Sequence, residues 1–386
     1  MMLTFLAQLA LAGQPLQLSE HCPPSFELTA QNQCQLVTRY DLYDSLQNKG
    51  VGGTKTALPK ARDGFSPQQI DLGRFLFFDP LLSGNHQQAC ASCHQPALGF
   101  ADGKALSTGA HGDSGNRSAP SLWNVAYLTQ LFWDGRAKTL EQQALIPLFA
   151  KHEMANTPEQ LLAELSSNAQ YPALFRQAFP GKEQIDLTQV ATALTAFQSS
   201  LISLNSKYDQ YAHGFHEALN EEEIKGLNVF RSFVARCSEC HTPPLFTNQQ
   251  IAVIGTPEPD GMPFDPGAGS EPGKEKWRGG FKVPSLRNVA LTAPYMHSGR
   301  FATLEEAAEF YTKGRGHAVP KGEQLQLHWH IWEPKLSPEE INQLAIFMNT
   351  LTDQSLLPAI PQELPSGLPL PAELQTTNDN NKGITP

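Results

Sequence analysis

Two short stretches, residues 90–94 (CASCH) and 237–241 (CSECH), follow the same CxxCH pattern. Two thiols three positions apart can reach the two vinyl groups of one haem, while the adjoining imidazole binds its iron. The alternatives are a disulfide pair or a zinc ribbon, but the two cysteine pairs are too far apart for a compact ribbon. The sequence therefore predicts two covalently bound haem c groups, with His94 and His241 as proximal iron ligands. The predicted attachment points are Cys90, Cys93, Cys237 and Cys240.

The surroundings of the two motifs also recur, in the same order. Residues 121–144 (SLWNVAYLTQLFWDGRAKTLEQQA) align without gaps with residues 285–308 (SLRNVALTAPYMHSGRFATLEEAA), and residues 197–201 (FQSSL) match residues 347–351 (FMNTL). The distance in sequence between corresponding blocks varies from 147 to 164 residues. This repetition indicates a duplicated domain with loop insertions of different length.

Helical periodicity flanks both motifs. Ser66-Pro67 begins one predicted helix, and Asn220 caps another whose apolar residues continue through Phe233 and Val234 to Cys237. Each copy closes with an amphipathic helix, over 187–201 and from Ser337 to 351. A helix that leads into CxxCH and a later helix packed across it form the plan of small c-type cytochrome domains. The sequence therefore predicts an all-α, mainly helical fold of two tandem cytochrome c-like domains.

The predicted N-terminal cytochrome c domain spans 63–210 and the C-terminal one 211–355. Residues 1–20 include a short apolar run typical of a signal peptide, although no basic segment precedes it, and an ordinary apolar helix is the alternative. Within the extension 21–62, Cys22 and Cys34 can close a disulfide in an oxidising compartment, or remain as free thiols. The Pro-rich and then polar segment 356–386 is predicted to be a disordered tail. We expect an exported, periplasmic protein.

Charge and hydropathy exclude some classes of function. Lys plus Arg total 28 against 38 for Asp plus Glu, a formal charge of −10, which argues against a nucleic-acid-binding protein. Beyond the first residues, no segment is long and apolar enough to span a membrane. The negative charge is compatible with a basic protein as a partner.

Residues 131–136 (LFWDGR) and 285–304 (SLRNVALTAPYMHSGRFATL) resemble the bacterial dihaem cytochrome c peroxidase and MauG family, with the likeness running from about 65 to 351. It implies a peroxidatic N-terminal haem, an electron-relaying C-terminal haem, and Trp133 between them. It also implies Gln143 and Glu153 in the pocket, where a carboxylate over the iron can move a proton between the peroxide oxygens. Without the resemblance, Trp133 reads as a core aromatic and Glu153 as a solvated residue at a helix end.

The resemblance also implies the remaining axial ligands. His111, in a Gly-rich loop, matches a removable distal histidine, and a surface residue is the alternative because MauG-type members lack that ligand. Tyr311 matches the sixth ligand of the C-terminal haem, where conventional peroxidases carry Met and MauG-like proteins carry Tyr. The alternative is that Tyr311 is a core aromatic and another residue binds the iron. The candidates are then Met296, Met348, His297, His317, His328 and His330.

A calcium ion between the domains is implied as well. Thr292 and Pro294 match positions that donate backbone carbonyls, the oxygen ligands that calcium prefers. Ser118 stands where the family has an asparagine, which puts that ligand in doubt.

Three functions follow as expectations. The first is a peroxidase that reduces hydrogen peroxide with electrons from a small cytochrome c or cupredoxin, as a monomer or homodimer. The second is a MauG-like oxidase that oxidises aromatic residues of a partner protein. Tyr311 favours it. However, Ala235 stands where MauG has a surface tryptophan for hole transfer to the partner. The surface residue that serves this transfer would then be Trp277, Trp329 or Trp332. The third is a non-catalytic dihaem electron carrier.

Overall fold

The computed structural model describes residues 16–41, 58–312, 319, 322–329 and 334–375. Residues 1–15 of the expected signal peptide lie outside these residues. His317, His330, Trp332 and the last part of the expected tail, 376–386, also lie outside them. Among the described residues, no helix combines the length and the apolar character needed to cross a membrane.

The described chain is mainly helical, as predicted. The N-terminal half contains α1 (Pro67–Phe78), α2 (Cys90–Cys93), α3 (Leu140–Phe149), α4 (Pro158–Ser167), α5 (Tyr171–Ala178) and α6 (Leu187–Ser199). The C-terminal half contains α7 (Lys207–Ala212), α8 (Glu221–Phe230), α9 (Cys237–Cys240), α10 (Leu304–Thr312) and α11 (Pro338–Asn349). Two antiparallel pairs of short strands complete it: β1 (Phe26–Leu28) with β2 (Cys34–Leu36), and β3 (Ile251–Val253) with β4 (Gly280–Lys282).

The predicted helix starts are confirmed by their caps. Ser66, Asn220 and Ser337 each accept a hydrogen bond from the third backbone N–H of the helix that follows, within capping boxes. The expectation that the helix before the second CxxCH continues to Cys237 is wrong, since α8 ends at Phe230. The chain then turns, and Phe233 is 83% exposed, so its apolar spacing does not reflect a buried helix face.

Each half is built on one helix crossing, and the two crossings match. Helix α1 packs on α6, and α8 packs on α11. At each crossing a glycine lets the backbones touch: a Cβ on Gly73 would lie 1.8 Å from the Ala193 carbonyl oxygen, and one on Gly226 would lie 2.1 Å from the Gln343 carbonyl oxygen. No larger residue fits there, so the duplication read from sequence extends to tertiary packing.

The aromatic cores repeat in the same way. Phe77 packs on Phe197 with ring centroids 5.0 Å apart in the N-terminal half. Phe230 packs on Phe347 at 5.1 Å in the C-terminal half. These pairs lie at corresponding positions of the two crossings, which supports a common ancestor for the halves.

The prediction of a disordered tail is wrong for residues 356–375. Leu364 and Leu374 are buried in the core of the N-terminal half. Arg74 donates to the Ala359 carbonyl at 3.2 Å, and the Ser366 amide donates to the Asp79 carboxylate at 3.3 Å. The proline-rich composition suggested disorder, but the leucines spaced along the segment supply enough apolar surface to hold it against the protein.

The N-terminal extension is tied to the C-terminal half. The disulfide between Cys22 and Cys34 is confirmed. Further along, the hydroxyl of buried Tyr40 donates to Asp209, whose carboxylate also binds the guanidinium of Arg287 at zero side-chain exposure. A buried ion pair of this kind is held in place only when its remaining polar atoms are satisfied, and here Tyr40 supplies one of the partners.

We expect the change Gly226→Val to lower the free energy of unfolding by about 1–3 kcal/mol, because the new side chain forces α8 away from α11. Chemical unfolding followed by circular dichroism would measure it. The exposed residue Asn228, on the same helix, provides the control, and Asn228→Ala should change stability by less than about 0.5 kcal/mol. Equal stability of Gly226→Val and wild type would contradict the close crossing.

Candidate active site

The first CxxCH motif opens onto a large cavity. Helix α2 places Cys90 and Cys93 on one turn, and both residues line a cavity of about 760 Å³ together with His94. Burial raises the pKa of the Cys90 thiol to about 12 and that of the Cys93 thiol to about 11. Two partly buried, unpaired thiols and an imidazole around a cavity of this size fit a covalently attached haem.

The proximal imidazole is oriented by the backbone. The Nδ1 atom of His94 lies 2.9 Å from the carbonyl oxygen of Phe100. A carbonyl only accepts, so Nδ1 carries the proton and Nε2 keeps its lone pair for iron. Burial lowers the pKa of His94, which favours this neutral form. Phe100 has a φ of 61°, a left-handed conformation uncommon for an aromatic residue, and it turns the carbonyl toward the ring.

Three residues singled out from sequence line the same cavity. Trp133 lies in the turn before α3, Gln143 lies on α3, and Glu153 follows the end of that helix. The structure thus brings a tryptophan, an amide and a carboxyl group to the space bounded by His94. Their predicted roles in catalysis stay predictions.

The carboxyl group of Glu153 is half-buried at the cavity wall. Burial raises its pKa from the usual value of 4.5, while the nearby charges of His152 and Arg136 act in the opposite direction. The His152 imidazole Nε2 lies 3.7 Å from the Glu153 carboxylate. The backbone carbonyl of Glu153 accepts from Ala110 at 2.7 Å, which holds this residue against the neighbouring loop.

His111 is not brought into the cavity. It is exposed at the tip of a turn closed by a hydrogen bond from the Gly109 amide to the Asp113 carbonyl at 2.8 Å. Ser107, Thr108 and Gly109 of the same loop border the cavity, but His111 is not among the lining residues. Its proposed role as a removable iron ligand stays a prediction that would require this loop to move.

Polar contacts between the halves surround Trp133. Its indole Nε1 donates to the Ser118 carbonyl at 2.9 Å, and its ring meets the His297 ring edge-on with centroids 6.5 Å apart. The Ser118 amide donates in turn to the His297 carbonyl at 2.8 Å. These bonds fix the orientation of the indole at the boundary of the two halves.

An arginine that sequence reasoning missed holds the same boundary. Arg117 binds Asp134 of the N-terminal half and Asp265 of the C-terminal half, each at 2.6 Å. The two carboxylates raise the pKa of the guanidinium against the opposing effect of burial, and so keep it charged. Asp265 lies far from Arg117 in sequence, and no local pattern could have predicted the pair.

The second CxxCH motif repeats the proximal arrangement. His241 Nδ1 lies 3.1 Å from the Phe246 carbonyl and 3.1 Å from the Pro284 carbonyl, which again leaves Nε2 for iron. Burial lowers the pKa of His241 to about 4. Phe246 has a φ of 54°, matching the conformation of Phe100.

Tyr311 is the residue predicted to be the sixth ligand of the second haem, and that role stays a prediction. Burial raises the pKa of the Tyr311 phenol, and the Cys240 and Cys237 thiols raise it further. Among the alternative ligands, His297 is bonded to Glu258 at 2.9 Å and stacked on Phe281 at 3.7 Å. Met348 packs in the hydrophobic core, and the ring of His328 stacks on Trp329.

The positions proposed for calcium lie at the contact between the halves. The Ser118 hydroxyl donates to the Met296 carbonyl at 3.0 Å, and the Thr292 hydroxyl donates to the Val289 carbonyl at 3.1 Å. Within the described ranges, no three His, Cys, Asp or Glu side chains gather as a metal site. A cation here would therefore depend on backbone carbonyls such as that of Pro294.

Comparison with known proteins identifies the family to which the chain belongs. The family described as di-haem cytochrome c peroxidase matches residues 67–217. The cytochrome c551 peroxidase of Nitrosomonas europaea is 34% identical, over 79% of this chain and 84% of its own length. The methylamine utilization protein MauG of Methylorubrum extorquens is 34% identical, over 79% and 83%. The crystal structure of a MauG-like protein associated with microbial copper homeostasis superposes with a TM-score of 0.71 at 32% identity, covering 81% of this chain and 97% of that one.

The fold and the paired sites define a dihaem c-type cytochrome. The chain belongs to the di-haem cytochrome c peroxidase family, and it is an oxidoreductase that acts on peroxide. Both CxxCH sites fit the two c-type haems that this family implies, since each supplies two thiols and an imidazole with one ring nitrogen already bonded.

The raised pKa of Glu153 predicts a pH effect. A base accepts a proton only when ionised, so kcat/KM for peroxide should fall as the pH falls through a pKa above 4.5. Measuring kcat/KM across the acidic pH range would reveal this acid limb of the pH profile. Glu153→Gln should lack it, whereas an unchanged acid limb in that variant would assign the titration to another group.

Proposed function

We propose that hydrogen peroxide is reduced at the haem held by Cys90, Cys93 and His94, with electrons delivered through the haem held at His241. The observation that carries this assignment is the single cavity that joins His94 to a carboxyl group, an amide and an indole. When bound, the haem would supply the iron at which peroxide reacts and through which the electrons pass. Reduction of one peroxide to two waters consumes two electrons and two protons.

The protein's own residues would manage the protons and the orientation. In this proposal Glu153 takes a proton from one peroxide oxygen and returns it to the departing oxygen, and the burial that raises its pKa supports this role. Gln143 lines the same wall and can hold peroxide by a hydrogen bond. Trp133, which is fixed by its bond to the Ser118 carbonyl and contacts the His297 ring of the C-terminal half, would serve as an electron relay.

A MauG-like oxidase is the second candidate, and Tyr311 favours it. A phenolate stabilises ferric iron more than a thioether does, which suits a haem that gives up electrons. Ala235 provides no surface tryptophan before the second motif. Trp329 is 65% exposed and Trp277 is half-buried, so either could be the point of exit for partner oxidation. The non-catalytic carrier is disfavoured, because a carrier has no use for a cavity lined by Glu153.

The proposed function is tested by steady-state turnover of the holoprotein with peroxide and a reduced small cytochrome c. We expect two donor electrons to be consumed for each peroxide. Glu153→Gln should lower kcat/KM by a factor of about 10²–10⁴, the usual contribution of a general acid or base. Glu159→Gln removes an exposed carboxylate after the same loop and should leave the rate unchanged. Peroxide consumption without donor oxidation, accompanied by oxidation of an added protein, would favour the oxidase.

Tyr311→Met should raise the midpoint potential of the C-terminal haem, because a thioether favours ferrous iron. Spectroelectrochemical titration of the holoprotein would measure the change. Tyr211→Phe, which alters a partly buried tyrosine packed against the hydrophobic core of the C-terminal half, serves as the control. Equal potentials in Tyr311→Met and wild type would show that Tyr311 does not bind the iron.

We further infer an exported, periplasmic protein that receives electrons from a small cytochrome or cupredoxin. The disulfide between Cys22 and Cys34 supports an oxidising compartment. A calcium ion held by carbonyls of Thr292 and Pro294, with Ser118 nearby, is proposed to stabilise the contact between the halves.

A further inference from the structure

A lysine of the C-terminal half is buried in the cavity of the N-terminal haem site. Lys282 is the last residue of β4 and only 9% exposed, and it lines the same cavity as His94 and Glu153. Its backbone amide donates to the Trp133 carbonyl at 2.6 Å. This bond fixes the end of the strand against the turn that carries the tryptophan.

The Lys282 ammonium has no carboxylate to balance it within the described part of the chain. Burial lowers its pKa to about 8, and no acidic group acts in the opposite direction. Asp134 and Asp265 also line the cavity, but both are bound by Arg117 at 2.6 Å. A buried ammonium without an anionic partner is destabilising, so a ligand that brings negative charge into the cavity would be favoured here.

Haem is such a ligand, because it carries two propionate carboxylates. We propose that Lys282 binds a propionate of the N-terminal haem, so that the C-terminal half contributes a cofactor-binding residue and a positive charge to the peroxidatic site. The pair satisfies the ammonium and keeps it protonated. A positive charge beside the haem favours the reduced iron, which carries one positive charge fewer, and thereby raises its midpoint potential.

The backbone segment that carries Lys282 also contacts the second haem site. Two residues further on, the Pro284 carbonyl accepts from Nδ1 of His241, the proximal ligand of the other haem. Residues 282–284 therefore contact both haem sites, and the Lys282 amide also binds the turn of Trp133. A shift of this segment would change the surroundings of both haems together.

The test compares charge removal at Lys282 with charge removal at the surface. Lys282→Met keeps the apolar stem and deletes the charge, and Lys282→Arg keeps the charge. Lys276→Met removes an exposed lysine from the same region. Redox titration of the holoprotein followed by electron paramagnetic resonance gives both midpoint potentials, and resonance Raman spectra report the propionate bending bands. The variant His94→Gly serves to assign the spectra, because the signals that change in it belong to the N-terminal haem.

We expect Lys282→Met to lower the potential of the N-terminal haem and to shift its propionate band, with the other haem and the content of two haems unchanged. Lys282→Arg should keep the wild-type potential and propionate band, and Lys276→Met should alter neither. A Lys282→Met protein with the potential and propionate band of Lys276→Met would overturn the proposal, as would a shift confined to the C-terminal haem.

A measurement on the wild-type protein keeps the proposal testable if the Met variant fails to retain two haems. A propionate that accepts an N–H bond from Lys282 should show a bending band that shifts on exchange into D₂O. Absence of a shift in the propionate bands of the N-terminal haem would contradict the pairing.

Discussion

Each proximal imidazole is held by the backbone carbonyl of an aromatic core residue. Phe100 accepts from His94, and Phe246 accepts from His241, and both phenylalanines adopt a left-handed φ that is unfavourable for residues of this type. Their rings pack in turn on Phe77 and Phe230 of the crossing helices, at 6.3 and 5.8 Å. The orientation of each iron ligand is therefore set by the same packing that stabilises each half. The same two phenylalanines therefore serve both the core and the proximal ligand of each half.

The residue that contacts this phenylalanine differs between the two halves. In the N-terminal half, Trp123 packs edge-on against Phe100 at 5.0 Å, whereas the corresponding residue in the second half is Arg287, whose guanidinium lies 5.4 Å from the Phe246 ring. Arg287 is fully buried in an ion pair with Asp209. Two copies of one plan thus place their haems in unequal surroundings. The first has a wide cavity, and beside the second proximal ligand lies a buried charge network.

Polar contacts join the two halves beside an apolar cluster in which Tyr127 and Ile202 pack with Leu245. Arg117 joins carboxylates from both halves, Ser118 bonds to the segment that carries His297, and Lys282 bonds to the Trp133 turn. Hydrogen bonds are directional, so such contacts fix the relative orientation of two sites more closely than apolar packing alone. These polar contacts therefore hold the two haem sites in a defined relative orientation.

The sequence by itself determined the two haem attachment sites, the duplication and the helices that carry them. These features are local: CxxCH needs its residues at fixed spacing, and Ser66 and Asn220 cap the helices that follow them. Composition misjudged residues 356–375, because scattered leucines bury surface only once the N-terminal core exists to receive them. The tertiary structure alone decided which residues share the cavity with His94. Lys282 lies far from that histidine in sequence, and only the packing of the two halves brings its charge there.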